Sequence, residues 1–153
     1  MTPHLSMEVI WQDDDMVEID AAACTEHFAG RTQVYTTYDE LRKLYASLGG
    51  FPQSVSSRVV FSAGQTGSYA LLRVEFYCID HAGHAAAQIT MESNVATNSR
   101  PQEKHRVQLE MQFEPLAIDA FLNAMGRLIS SQSGNATLQG IGEYTRNIAS
   151  ERR

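Results

Sequence analysis

Cysteine is scarce in this chain, and grouped positive charge is missing. The only two cysteines, Cys24 and Cys78, show no CxxC spacing and fall in strand-like segments. That fits two reduced thiols better than a disulfide framework, although a bridge between Cys24 and Cys78 stays open if their strands are neighbours. Twelve Lys and Arg stand against eighteen Asp and Glu, a formal net charge of -6. With no basic cluster to displace counterions, nonspecific binding to a nucleic-acid backbone is disfavoured. A basic partner suits the chain better than an acidic one. No apolar run approaches the roughly 18 residues needed to cross a bilayer, so no membrane association is expected. Residues 1–6 carry neither a positive n-region nor an apolar h-region, which makes cytoplasmic residence the default expectation.

Catalytic signatures are also lacking. The stretch 64–67 has two glycines but no lysine, and is too short for a phosphate-binding loop opening a helix. Asp13 and Asp15 are nearly contiguous and exposed by pattern, unlike the separated, environment-tuned carboxylates of acid and base chemistry. A nucleophilic Cys24 or Cys78 would need His27, His81 or His105 as its base. Neither cysteine sits in a motif or at a helix start, so a structural thiol is the plainer reading.

What the sequence does contain is alternation. In Ser68 to Ile79, His84 to Ser93 and His105 to Glu114, one set of alternate residues is apolar: Ala70, Leu72, Val74, Phe76 and Cys78, then Ala85, Ala87, Ile89 and Met91, then Val107, Leu109, Met111 and Phe113. Successive strand side chains point to opposite faces, so these are strands with one covered and one wet face, as antiparallel sheets have. Met7 to Gln12, Met16 to His27, Arg31 to Thr36 and Arg58 to Phe61 supply further strand candidates, and Ala136 to Leu138 a short edge strand. Asp13-Asp14-Asp15, Ala29-Gly30, Ala63 to Gly67 and Asp80 to His84 read as turns, with Gly83 placed for a positive φ.

The period changes to three and four at Tyr38, Leu41, Leu44, Tyr45 and Leu48, the stripe of an amphipathic helix. Thr37 and Glu40 form a capping-box pair at its start, Gly49-Gly50 end it, and Pro52 prevents its resumption. Pro115 opens a second helix with an apolar face of Ile118, Phe121, Leu122, Met125, Leu128 and Ile129. The polar segment 94–104 is the longest internal connection and the one expected to be mobile. Ile141, Tyr144 and Ile148 have weak helical spacing, and 151–153 are expected to fray.

A chain of 153 residues with no repeat and no linker makes one domain, core about 7–138, with a tail at 139–153. Two late helices do not suit alternating βαβ units. The expected fold is α+β: a curved antiparallel meander of six to eight strands with two amphipathic helices packed on one face.

On the polar face of that sheet stand Arg73, Glu75, Tyr77, Gln88, Thr90, Arg106, Gln108, Glu110 and Gln112. Mixed charge with an aromatic suits a protein-binding surface, and equally describes an ordinary solvated face. Arg73, Glu75, Tyr77, Gln88, Arg106 and Glu110 are the binding candidates. Tyr69, Leu71 and Ile79 are apolar on the same nominally wet side, as if something covers them. Asp80, His81 and His84 crowd titratable groups at a hairpin tip; no third ligand is identifiable, so solvated histidines are expected rather than a metal. Trp11 beside Asp13-Asp14-Asp15 is a second contact candidate, though a lone tryptophan is also an ordinary core or rim residue. No cofactor is expected.

The order of elements, with Phe51-Pro52 after the first helix, Asp80-His81-Ala82-Gly83-His84 as a turn and Phe113-Glu114-Pro115-Leu116-Ala117-Ile118-Asp119-Ala120-Phe121 opening the second helix, resembles small uncharacterised bacterial α+β domains. Some of these are immunity proteins encoded beside polymorphic toxins. The resemblance spans about Gly30 to Leu138, rests on turns and caps, and implies no catalytic residues. It implies a cytoplasmic, non-catalytic protein-binding module whose partner is a basic toxin or a second copy of the chain. The alternative, from another class, is a small-molecule-binding domain or enzyme with a pocket between sheet and helices.

Overall fold

The computed structural model describes residues 2–96 and 100–142. Eight antiparallel strands and two α-helices make an α+β fold: β1 (His4–Gln12), β2 (Val17–Cys24), β3 (Ala29–Thr36), α1 (Tyr38–Leu48), β4 (Arg58–Gly64), β5 (Leu71–Cys78), β6 (Ala85–Glu92), β7 (Arg106–Phe113), α2 (Pro115–Ser131) and β8 (Asn135–Gln139). The strands divide between two four-stranded sheets instead of running on as one ribbon. The first has the order β3-β2-β1-β8 and the second β4-β5-β6-β7. The division falls at α1, which carries the chain away from β3 before the second meander begins. After α2 the chain returns to the first sheet, where β8 pairs with β1 from His4↔Gln139 to Glu8↔Asn135. That pairing explains why β1 starts at His4, earlier than its sequence pattern suggests.

Alternation fixes which face of each sheet is buried. Leu5 and Met7, Val17, Ile19 and Ala21, Val34, and Ala136 and Leu138 point inward from the first sheet. Phe61, Leu72, Val74, Phe76, Ala87, Ile89, Met91, Leu109, Met111 and Phe113 do so from the second. Leu41, Leu44 and Leu48 of α1 and Ile118, Phe121, Met125 and Leu128 of α2 join them in one continuous core. Removing each large member from water stabilises the fold by about 1.5–3 kcal/mol. Phe51, Phe76 and Phe113 fill its interior, with ring centroids 6.2–6.4 Å apart.

The helix ends follow the sequence closely, with two refinements. Thr37 accepts the Glu40 amide at 3.1 Å, but the Glu40 carboxylate takes Lys43 Nζ at 3.0 Å, so the expected capping box has lost its return arm to a salt bridge one turn on. After α1, Gly50 and not Gly49 holds the left-handed conformation, with φ 73° against -58°. Pro115 occupies the first turn of α2 as expected, and Gly83 has φ 84° in the β5–β6 hairpin.

The two sheets meet where β3 lies against β4, β5 and β6. Thr32 Oγ1 donates to the Glu92 carbonyl at 2.7 Å, and the Asn94 side chain both accepts from and donates to the Gln33 backbone, at 3.0 and 2.8 Å. At the far side the Ile141 amide donates to the Gln112 carbonyl at 2.8 Å. The connection expected to be mobile is fastened at both described ends: Lys104 Nζ donates to the carbonyls of Ser68, Ser93 and Val95 and lies 3.9 Å from the buried Glu92 carboxylate. Residues 97–99 of that connection lie outside the described residues, as do Tyr144, Ile148 and 151–153 of the expected tail.

Candidate functional site

All six binding candidates of the second sheet share its outer face. Pairing sets Glu75 opposite Gln88 and Gln88 opposite Glu110, with Arg73 and Tyr77 in the flanking rows and Arg106 one row beyond Arg73, opposite Glu92. The charges are ordered by one another. Arg58 Nε donates to Glu75 Oε1 at 2.6 Å, Arg73 approaches the other Glu75 oxygen at 3.6 Å, and Tyr77 donates its hydroxyl to Glu110 Oε2 at 2.5 Å. The Arg58 guanidinium lies 5.9 Å from the Tyr77 ring centroid, a cation–π distance. Burial, and then the Glu110 carboxylate, push the Tyr77 pKa up, so its hydroxyl remains a donor throughout the physiological range. Arg106 lies 3.7 Å from Glu92 at the other end of the face. Of the apolar residues expected to be covered, Leu71 is buried, whereas Tyr69 and Ile79 are exposed.

At the hairpin tip the structure joins two of the three candidates. His84 Nδ1 and Asp80 Oδ2 are 2.5 Å apart, and the other Asp80 oxygen accepts the Ala82 and His84 amides at 2.9 and 3.1 Å. The His84 bond, chiefly, holds the Asp80 carboxyl below its usual range. His81 is exposed and takes no part in that bond. Among the described residues no group of three His, Cys, Asp or Glu side chains gathers to hold a metal. The tip therefore works as a turn lock, in which one carboxylate satisfies two backbone amides and orients a ring.

The cysteines are both free and lie in different sheets, Cys24 in β2 and Cys78 in β5. Cys24 Sγ is 3.4 Å from His4 Nδ1, a partner the sequence did not suggest. The two are register neighbours across β1 and β2, which only the pairing reveals. The thiol also donates to the Thr2 carbonyl at 3.2 Å, a bond available to the thiol and not to a thiolate. Cys78 lies 3.8 Å from the Ser54 carbonyl.

The first sheet presents a different outer face. Glu8, Glu18 and Asp20 project from β1 and β2, and Glu8 stands directly opposite Asp20. Arg31 Nε and Nη2 each lie 2.9 Å from an Asp20 oxygen, and this pairing above all lowers the Asp20 pKa. Beyond one end of this acidic belt, Trp11 meets Tyr35 edge to face with ring centroids 6.0 Å apart. Trp11 owes its position to a β-bulge: Val9 pairs with Ile19 but Trp11 with Glu18, so Ile10 is the extra residue. Without the bulge, the alternation that buries Leu5 and Met7 would turn Trp11 inward. At the opposite end is an open hollow of about 630 Å³ lined by Thr2, His4, Ala22, Cys24, Ala29 and Arg31.

No helix among the described residues is long and apolar enough to cross a membrane. Comparison of the chain with protein-family models, with curated proteins and with solved structures returns no match.

Proposed function

We propose that the chain is a non-catalytic protein-binding module that captures its partner on the outer face of the second sheet. The observation that carries this reading is the gathering of Arg73, Glu75, Tyr77, Gln88, Arg106 and Glu110 on three adjacent strands, with Tyr77 bonded to Glu110, Glu75 to Arg58, and Arg73 and Arg106 at ion-pair distance from Glu75 and Glu92. Tyr and Arg dominate the energetics of interfaces, and side chains ordered beforehand lose less entropy on docking. The packed cluster of Phe51, Phe76 and Phe113 supports a surface outside the core over a ligand pocket within it. A net charge of -6 would steer the module toward a basic partner and speed association. An immunity role against a basic toxin is the specific form of this proposal, and self-association its alternative.

Glu75 is a poor residue to reverse, because Arg58 and Arg73 would be left beside a third cation. Gln88→Arg and Tyr77→Ala are better probes. With the intact chain as bait in extracts of its native host, each substitution is expected to lower recovery of the partner about tenfold, while far-UV circular dichroism stays at the wild-type level. Undiminished recovery in both folded variants would exclude this face. A dimer in light scattering, lost in both variants, would assign the face to a second copy.

A further inference from the structure

From the outer face of the first sheet we infer a second recognition site, one that seats an arginine side chain of a basic protein segment on the exposed surface of the Trp11–Tyr35 pair, beside Glu18. The sheet opposite to the one proposed above carries it, so the two stand or fall separately.

Three observations converge on that site. The first is the bulge at Ile10, which spends an irregularity in β1 to bring out a large ring that the local alternation would bury. Bulges commonly re-aim a side chain at functional positions. The ring it brings out belongs to the chain's only tryptophan, and it remains 47% exposed while Tyr35 beside it remains 49% exposed. The second is the placement of Glu18, which pairs across the strands with both Trp11 and Tyr35 and so stands on the middle strand beneath the ring pair. An aromatic face with a carboxylate beside it is matched to a planar cation: the ring quadrupole attracts the charge and the carboxylate accepts its N–H groups. The third is charge complementarity. Glu8, Glu18 and Asp20 share this face with a single arginine, Arg31, whose guanidinium is committed to Asp20. An incoming arginine meets a field of its own opposite sign, and arginine stacks on rings as lysine does not.

Because Trp11 is the only tryptophan, its emission reports on the site directly. The test titrates the intact chain with a fluorescently labelled (Arg-Gly)4 peptide at low salt, with (Lys-Gly)4 and (Gln-Gly)4 peptides alongside. Binding of the arginine peptide, read by anisotropy, is expected to change Trp11 emission, with weaker binding of the lysine peptide and none of the glutamine peptide. Glu18→Gln, Trp11→Ala and Tyr35→Ala are each expected to weaken it about tenfold. Asp119→Asn on α2, an equal change of net charge, is expected to weaken it less than about twofold. Tyr35 sits on an edge strand, so its variant remains informative should Trp11→Ala unfold. Arginine-peptide binding that leaves Trp11 emission unchanged, an equal loss in Asp119→Asn, equal affinity for the lysine peptide, or no binding at all would overturn the assignment.

Discussion

Gly30 shows how a single atom sets the spacing of the two sheets. A Cβ there would lie 2.5 Å from Val107 Cγ1 and 3.3 Å from Met91 Sδ, so β3 approaches the second sheet only because the side chain is absent. Gly30→Ala forces β3 outward and is expected to destabilise the chain by about 1–3 kcal/mol, read as a lower urea midpoint at unchanged slope. Pairing it with Val107→Ala should restore part of the loss, since the two residues share one space. Asp20 carries a second prediction at this scale. Arg31 holds its pKa below the ordinary value of 3.8, so the bond favours the folded state above that pH, and its contribution disappears as pH falls through the folded-state pKa. Arg31→Met is therefore expected to lower the thermal midpoint at pH 7, by a difference that shrinks steadily as pH falls below 3.8. A difference that persists in acid would assign the effect to packing.

At the level of elements, α1 depends on its first turn. Thr37→Ala removes the bond to the Glu40 amide and is expected to cost about 0.5–2 kcal/mol in chemical denaturation, since the Glu40 carboxylate is engaged with Lys43 and supplies no substitute. Such local features were legible in the sequence. The period-two stretches became β5, β6 and β7, with β5 starting at Leu71 instead of Ser68, because a covered face writes its orientation into every second residue; the expected wet face is not wet along β6, where Ala86, Thr90 and Glu92 are buried too. The six residues of the second sheet's outer face followed from the same parity. Pairing was not legible: alternation does not say whether β3 continues into β4, and the return of β8 to β1 depends on contacts between residues more than a hundred positions apart. Cross-strand register hid the other site features. His4 meets Cys24, Glu8 opposes Asp20, and Trp11 reaches Tyr35 only through an unpaired Ile10, which no propensity announces.

The whole molecule is asymmetric in charge. The second sheet's outer face balances its arginines against glutamates, whereas on the first sheet's outer face Glu8, Glu18 and Asp20 outnumber Arg31 and leave a net negative charge. Like charges directly opposed across strands lower stability. Arg31 stands near the opposed Glu8 and Asp20 carboxylates and offsets that repulsion, so Glu8→Gln is expected to shift stability by less than about 0.5 kcal/mol in urea unfolding; a larger gain that fades toward 1 M salt would show that the repulsion is not offset. Closure of the first sheet by β8 is a second whole-chain property. Leu138 is fully buried there, and Leu138→Ala is expected to cost about 2–5 kcal/mol, measured by urea unfolding, because its loss loosens the strand that joins the end of the described chain to its beginning.

The chain contains only two lysines, Lys43 and Lys104, and the clamp at Lys104 leaves its side chain 7% exposed against 73% for Lys43. An amine-reactive dye or coupling resin thus has one lysine to choose in the folded molecule. Tethered through α1, the protein would display both of its outer sheet surfaces in a common orientation, and labelling of Lys104 would report the moment at which the hairpin loops part.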